Sequence, residues 1–364
     1  MNAVDATVDL DDGEGLLAAD HNGLLRAAAM AGAQVRATAA ALAEGVLEPL
    51  RSDFPPRTVI WVAGRGVAHG AGTLLAAALG GSVAAPIVVA AETPSWIGAL
   101  DVVIVAGDDP GDPALVNAAA IAVHRGARVL VVAPQEGPLR DVTAGRAVAL
   151  PPRLWVPDDF GLTRYLAAGL AALHVVDPGT RVDLPELADE LDAEALRNST
   201  ARELFTNPAK MLADRMSGAD VVLAGDTAAT LALARHGTTV MLRLAGQVTA
   251  AAGLTDVLAA TGNLAASRSG FERSLFHDEQ IDGSLPRRLR TFVLATDTER
   301  PTVAARIAGF ADISAIGAED VPDASRQGDE PGSPTIPARR VEQQLAILAV
   351  RLEMTAVYLK LVRG

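Results

Sequence analysis

Short apolar runs, four or five residues long and bounded by glycine, aspartate or proline, recur along this chain with helical stretches between them. Residues 58–62, 87–91, 102–106 and 129–132 each read as a strand. Their apolar positions are continuous rather than alternating, which marks a parallel sheet covered on both faces. Residues 64–72 predict a glycine-rich turn, residues 73–79 a helix behind it, and residues 114–124 the helix that leads into the fourth strand. Beyond position 200 the scheme repeats more loosely. Strands are expected over 220–224, 239–242, 291–294 and 312–316, with helices over 227–234 and 303–309. The strings at 58–66 and 220–227 are both a strand running into a glycine turn, a hint of two copies of one domain.

Residues 24–50 are alanine-rich and predict one or two helices, and 160–173 and 184–205 predict helices that connect or flank the two halves. Residues 320–337 are rich in Pro, Gly, Asp and Ser and read as an exposed loop. In residues 338–362, Val341, Leu345, Leu348 and Leu352 make one apolar stripe, and Ile347, Val350, Met354, Val357 and Leu361 make another. A helix apolar on two sides is a packing element, buried between domains or subunits. The expected division is an N-terminal helical segment (1–57), a first α/β domain (58–155), connecting helices (156–206), a second α/β domain (207–319), the loop (320–337) and the terminal helix (338–364).

Composition narrows the functional classes. Half of the 364 residues are apolar but only 3% are aromatic, so the core is aliphatic. Of 31 basic residues only Lys210 and Lys360 are lysines, a bias that fits a GC-rich genome better than selected phosphate chemistry. The net charge of −13 argues against nucleic acid, whose backbone repels acidic proteins. There is no cysteine, which removes disulfides, thiolate catalysis and zinc–thiolate sites. The first 17 residues hold four aspartates, a glutamate and no basic residue, unlike a secretory leader, and no apolar run has the roughly 20 residues of a membrane span. A cytoplasmic protein is expected.

Several segments, in order, resemble the bifunctional phosphoglucose/phosphomannose isomerases, a sugar-isomerase (SIS) family. They are the glycine-rich first turn at 62–75, the stretch at 91–107 with Pro94 and Trp96, the helix end and strand at 122–133, Pro151–Arg153, Asn207–Lys210, and the terminal segment 353–361. The chain looks like a divergent, actinobacterial-type member. The resemblance implies two doubly wound parallel-sheet SIS domains with a long C-terminal helix, and a homodimer with its site at the subunit contact. It also implies interconversion of aldose and ketose 6-phosphates with no metal and no cofactor. Such chemistry needs a phosphate cradle of hydroxyls and backbone N–H groups at a helix start, together with an acid/base set that moves a proton between C1 and C2.

Carried onto this sequence, the resemblance places substrate at Gly64, Arg65, Gly66, Ala68 and His69, at Asp108, Asp109, Gly111 and Asp112, and at Arg153. The departures are informative. Ala68 stands where the family has serine, and His69 where it has glycine; that histidine either contacts a sugar or phosphate or is an exposed helix-start residue. The family's second loop is rich in hydroxyls, whereas residues 106–113 keep only Gly111, carry three aspartates, and have Pro110 and Pro113, which offer no N–H. A carboxylate about 4 Å from a phosphate costs on the order of 4 kcal/mol even at an effective dielectric near 20. The aspartates either bind a hard cation or a cationic or hydroxyl-rich ligand, or form a solvated turn in which Asp109 or Asp112 caps the next helix. Arg153 serves a ligand or an interface ion pair, and Asn207 is expected to cap a helix opening on Pro208.

Residues 240–252, where the family has its catalytic glutamate, contain no carboxylate, and residues 261–269 contain neither His nor Glu. His277 and Glu279, on either side of Asp278, are the nearest catalytic candidates. A dinucleotide reading of Gly64, Gly66 and Glu92 fails on the spacing of the third glycine, at Gly70, and no two histidines are close enough for a local zinc pair. The expected function is a non-catalytic or altered-ligand binder of a sugar phosphate or related carbohydrate derivative. The alternative is an active isomerase on glucose 6-phosphate or mannose 6-phosphate.

Overall fold

A computed structural model describes residues 8–268, 288–320 and 339–363 of the chain. In chain order the helices and strands begin with α1 (Gly13–Ala19), α2 (Leu24–Ala28), α3 (Ala31–Ala43), β1 (Val59–Val62), α4 (Gly66–Leu79), β2 (Ile87–Ala90) and β3 (Val102–Ala106). There follow α5 (Pro113–His124), β4 (Arg128–Val132), α6 (Gly137–Thr143), β5 (Val148–Ala149), α7 (Leu162–Val176), α8 (Leu184–Arg197) and α9 (Pro208–Met216). The remainder is β6 (Asp220–Gly225), α10 (Ala228–Ala245), β7 (Thr249–Gly253), α11 (Leu254–Arg268), β8 (Leu289–Leu294), α12 (Arg300–Ile307), β9 (Ile313–Ile316) and α13 (Val341–Arg363).

The chain forms two compact units, one of residues 20–199 with 339–354, the other of residues 1–19, 200–338 and 355–364. Each holds a wholly parallel sheet, in the order β2-β1-β3-β4-β5 in one and β7-β6-β8-β9 in the other. Both are doubly wound, because the chain leaves β1 or β6 toward one edge and then returns to the other side of that same strand. The two glycine-turn strands of the sequence, β1 and β6, thus hold equivalent central places.

In the five-stranded unit every residue of β1 and β3 is buried. Ile60, Val62, Val103 and Val105 meet Leu115, Ala118 and Ala122 of α5 in one cluster. Trp61 points to the opposite face, where it donates from Nε1 to the Ala68 carbonyl at 2.9 Å. A Cβ at Gly72 would come within 2.2 Å of Trp61, and one at Gly169 within 2.5 Å of Leu75. Those two glycines let α4 and α7 close on the indole.

In the same unit α8 starts on Asp183, whose carboxylate accepts from the Glu186 N–H at 2.9 Å. It carries Glu194, fully buried, facing Arg351 of α13, which is 1% exposed. Arg351 donates to both carboxylate oxygens, at 2.7 and 3.1 Å, and Arg197 and Asn198 donate at 3.0 and 2.6 Å. Burial pushes the Glu194 carboxyl upward, but Arg351, Arg197 and Asn198 outweigh it and hold it below the usual range. From Glu342 to Met354, its part in this unit, every residue of α13 is buried.

In the four-stranded unit Asn207 caps α9 by accepting from the Lys210 N–H at 2.9 Å, with Pro208 in the first turn. Lys210 is buried, and its ammonium donates to the carbonyls of Thr200 and Arg202 at 3.0 and 2.7 Å.

The structure corrects three local expectations. Residues 239–242 are not a strand but lie inside α10, which runs on to a left-handed cap at Gly246. The strand is β7, whose run Thr-Ala-Ala-Ala-Gly has little β propensity; pairing with β6 makes it extended. Helix α4 begins at Gly66 rather than at residue 73, because Gly70 and Gly72 are helical residues and Gly72 serves packing rather than a turn. Helix α8 ends at Arg197, well short of 205. Helix α6 and the two-residue β5 had no sequence expectation. Of the expected loop at 320–337 only Asp320 lies within the described residues.

Removing one member of a buried ion pair strands the other. Arg351→Leu is therefore expected to lose about 3–5 kcal/mol in urea unfolding at pH 7, and Glu194→Leu with Arg351→Leu to recover much of that loss. The folded Glu194 carboxyl lies below its unfolded value, so the unfolded chain binds the extra proton and stability rises with pH between the two. The pair's contribution is complete above about pH 4.3 and fades as pH falls through the folded value. A wild type and double variant with parallel acid-unfolding profiles would show that the pair is not coupled to pH.

Candidate functional site

In a doubly wound sheet the ligand crevice opens where the strand order reverses, beyond the carboxyl ends of the two central strands. In the five-stranded unit that point lies between β1 and β3. It brings together the turn Gly64–Arg65–Gly66 and the loop from Asp108 to Asp112. A Cβ at Gly64 would lie 3.7 Å from Asp112 Oδ2 with nothing nearer, while Gly66 (φ +72°) and Gly70 would meet nothing within 4 Å. Arg65 is extended and exposed at the start of α4. His69 stands exposed in the first turn, its Nδ1 3.3 Å from the Ala63 carbonyl oxygen. Ala68 is buried beneath them.

The three aspartates do not converge. Asp112 caps α5, accepting from the Ala114 N–H at 2.9 Å. Asp109 accepts from the Gly111 N–H at 2.8 Å and so closes the turn. Asp108 faces the other way, taking a hydrogen bond from the Tyr165 hydroxyl and one from Arg164 Nη2 at 2.7 Å. Burial raises the Tyr165 phenol well above its ordinary value. Among the described residues no group of three or more His, Cys, Asp or Glu side chains is placed to hold a metal ion. Here the aspartates make a turn, a cap and an ion pair.

Arg153 lies beyond β5, at the other edge of the sheet. It binds Glu44 through both guanidinium ends, one at 2.7 Å, which lowers the Glu44 carboxyl and raises the arginine. Between it and Arg164 lies a cavity of about 20 Å³ lined by Gln34, Thr38, Val132, Leu150, Arg153 and Arg164. The Arg164 guanidinium stacks over the Tyr165 ring, 4.1 Å from its centroid. Its Nη1 is buried with no hydrogen-bond partner, and an orphaned buried donor costs about 1–3 kcal/mol, more when charged. Sequence reasoning missed Arg164 and Tyr165, and gave no weight to the exposed Trp155. The signal in hand was Trp155 itself, a tryptophan in an aromatic-poor chain two residues after Pro-Pro-Arg. His277 and Glu279 lie outside the described residues.

The reversal point of the other unit is closed by its own side chains. Thr227 and Thr230 form a capping box at the start of α10. Glu299 accepts from the Thr296 N–H at 2.8 Å and hydroxyl at 2.6 Å, and from the Thr230 hydroxyl at 3.4 Å. Arg306 pairs with Asp226 and donates to Thr255 at 2.9 Å. A Cβ at Gly225 would come within 2.2 Å of the Leu231 nitrogen, so α10 sits directly on the strand end. Among the described residues the open crevice is the one at Gly64.

No protein-family model matches the sequence, and no curated protein matches it. Solved structures do match along nearly the whole length, at identities that show the fold alone. A candidate phosphosugar isomerase from Clostridium difficile 630 gives a TM-score of 0.62 at 12% identity, over 94% of this chain and 93% of that one. The tagatose-6-phosphate ketose/aldose isomerase from Escherichia coli gives 0.59 at 16%, over 100% and 95%. A glucose-6-phosphate isomerase-like protein from Thermus thermophilus gives 0.50 at 19%, over 98% and 94%. The fold is that of the sugar isomerases: two doubly wound parallel-sheet domains with a long C-terminal helix. No helix of the described residues is long and apolar enough to cross a membrane.

If Asp112 serves as a cap, Asp112→Ala should lower stability by about 1 kcal/mol while Asp112→Ser leaves it nearly unchanged. Thermal unfolding of the two variants separates this from a role in ligand binding alone, which would leave both melting temperatures at the wild-type value.

Proposed function

We propose that this chain binds a phosphorylated or otherwise acidic carbohydrate derivative at the carboxyl ends of the five-stranded sheet, without isomerising it. The observation that carries this reading is the β3–α5 loop. Where a phosphate cradle needs hydroxyl and N–H donors, it offers three carboxylates already engaged in a cap, a turn and a pair with Arg164. The open glycine turn at Gly64 and Gly66 leaves room for a ligand. Supporting the sugar-phosphate class are the structural neighbours, among them the tagatose-6-phosphate isomerase of Escherichia coli. On this reading the chain is a divergent relative of the phosphoglucose/phosphomannose isomerases, a cytoplasmic homodimer acting as a sensor or partner in sugar-phosphate metabolism.

The purified chain should bind fructose 6-phosphate in calorimetric titration. It should turn over glucose 6-phosphate or mannose 6-phosphate to fructose 6-phosphate more slowly than about 1 per second, the low end of ordinary enzymes. Turnover above that rate would establish the active-isomerase alternative, and absence of binding to any acidic sugar would overturn the reading as a whole.

A further inference from the structure

We infer that the anionic group of the ligand lies not at the Gly64 turn but between Arg153 and Arg164, with its sugar ring against Trp155. This inference rests on the proposed function and says where, and by what chemistry, the ligand is held.

The first reason is charge. At the Gly64 turn the near neighbour is a carboxylate, Asp112. At the cavity beyond β4 and β5 the lining holds two guanidinium groups and no carboxylate. An arginine fork suits a carboxylate or phosphate oxygen pair. Arg164 is the better anchored of the two, held by Asp108 and stacked on Tyr165, and only 12% of its side chain is exposed. That leaves its buried Nη1 as a donor with no acceptor. The cavity's volume of about 20 Å³ exceeds the roughly 10–15 Å³ that one water needs, so a single ligand oxygen fits within it.

The second reason is accessibility. Glu44, the carboxylate on Arg153, is 54% exposed and Arg153 itself 37%. Pairs this open to solvent contribute little, so an anion on the ligand exchanges for Glu44 at small cost. Glu44 then acts as a stand-in that keeps Arg153 over the cavity mouth when the ligand is gone.

The third reason is the aromatic. Trp61 is fully buried in the core, but Trp155 is 87% exposed, two residues along from Arg153. In a chain with 3% aromatic residues, an indole left in water two residues from an arginine that lines the cavity offers a sugar ring an apolar face. Pro151 and Pro152 fix the backbone that carries Arg153 and Trp155, so little freedom is lost when a ligand docks on the strap.

The test is calorimetric titration of the full chain with fructose 6-phosphate, gluconate and fructose, repeated with Arg153→Gln and Trp155→Ala. Both substitutions fall on exposed side chains, and a melting temperature within about 2 °C of the wild type verifies folding. The expected result is that each variant weakens binding of the acidic sugar at least about ten-fold, and that neutral fructose does not bind. Preference between fructose 6-phosphate and gluconate then identifies the anion as phosphate or carboxylate. If the wild type binds fructose 6-phosphate and both variants bind it equally well, while Arg65→Gln abolishes binding, the anion lies at the Gly64 turn. The inference then falls while the proposed function stands. If Trp155→Ala leaves affinity intact but changes the oligomeric state in sedimentation, the indole belongs to an interface between copies of the chain, and the inference is again overturned.

Discussion

The carboxylate of Glu194 and the guanidinium of Arg351 meet almost entirely out of water, 157 residues apart in sequence. Such a pair repays its desolvation only when every remaining donor and acceptor is placed, and Arg197 and Asn198 complete the shell on the carboxylate. The consequence is register. The final helix is apolar nearly all round and would slide among aliphatic neighbours with little penalty; one buried charge pair singles out a single seating on α8. Its first half completes the unit built from residues 20–199, and its second half belongs to the other unit.

Within the five-stranded unit, close approach does the rest of the positioning. Gly72 and Gly169 let two helices lie on Trp61, and that packing sets where α4 begins and therefore where the Gly64 turn opens. Helix α7 is held on the same face, and its first turn delivers Arg164 and Tyr165 to Asp108. The crevice is thus walled by residues from three chain segments whose places follow from core contacts rather than from local preference.

The two units share a winding but not a chemistry. At the end of β6 the helix sits on the glycine itself, and Thr227, Thr230, Thr296 and Glu299 satisfy one another. At the end of β1, Gly66 and Gly70 face open space, and the carboxylate beside Gly64, Asp112, is engaged as the cap of α5. The five-stranded unit thus has space at its central glycines without a hydroxyl cradle, and a cavity lined by two arginines beyond β4 and β5.

The sequence by itself determined a parallel sheet covered on both faces and most of its strands, because strands buried on both faces must be continuously apolar; the double winding was implied by the family resemblance. It also determined the Asn207 cap and the packing role of the terminal helix, since both follow from local chemistry. It misplaced the strand at 239–242 because Thr-Thr-Val is β-prone in isolation, whereas the helix there is set by packing, and the alanines of β7 become a strand only by pairing with β6. Tertiary structure alone decided the site. That Asp108 turns to Arg164, that Arg153 rests on Glu44, and that Arg153 and Arg164 line one cavity are facts of juxtaposition. Arg153 and Glu44 stand 109 positions apart, and no periodicity, spacing or propensity carries a contact across that distance.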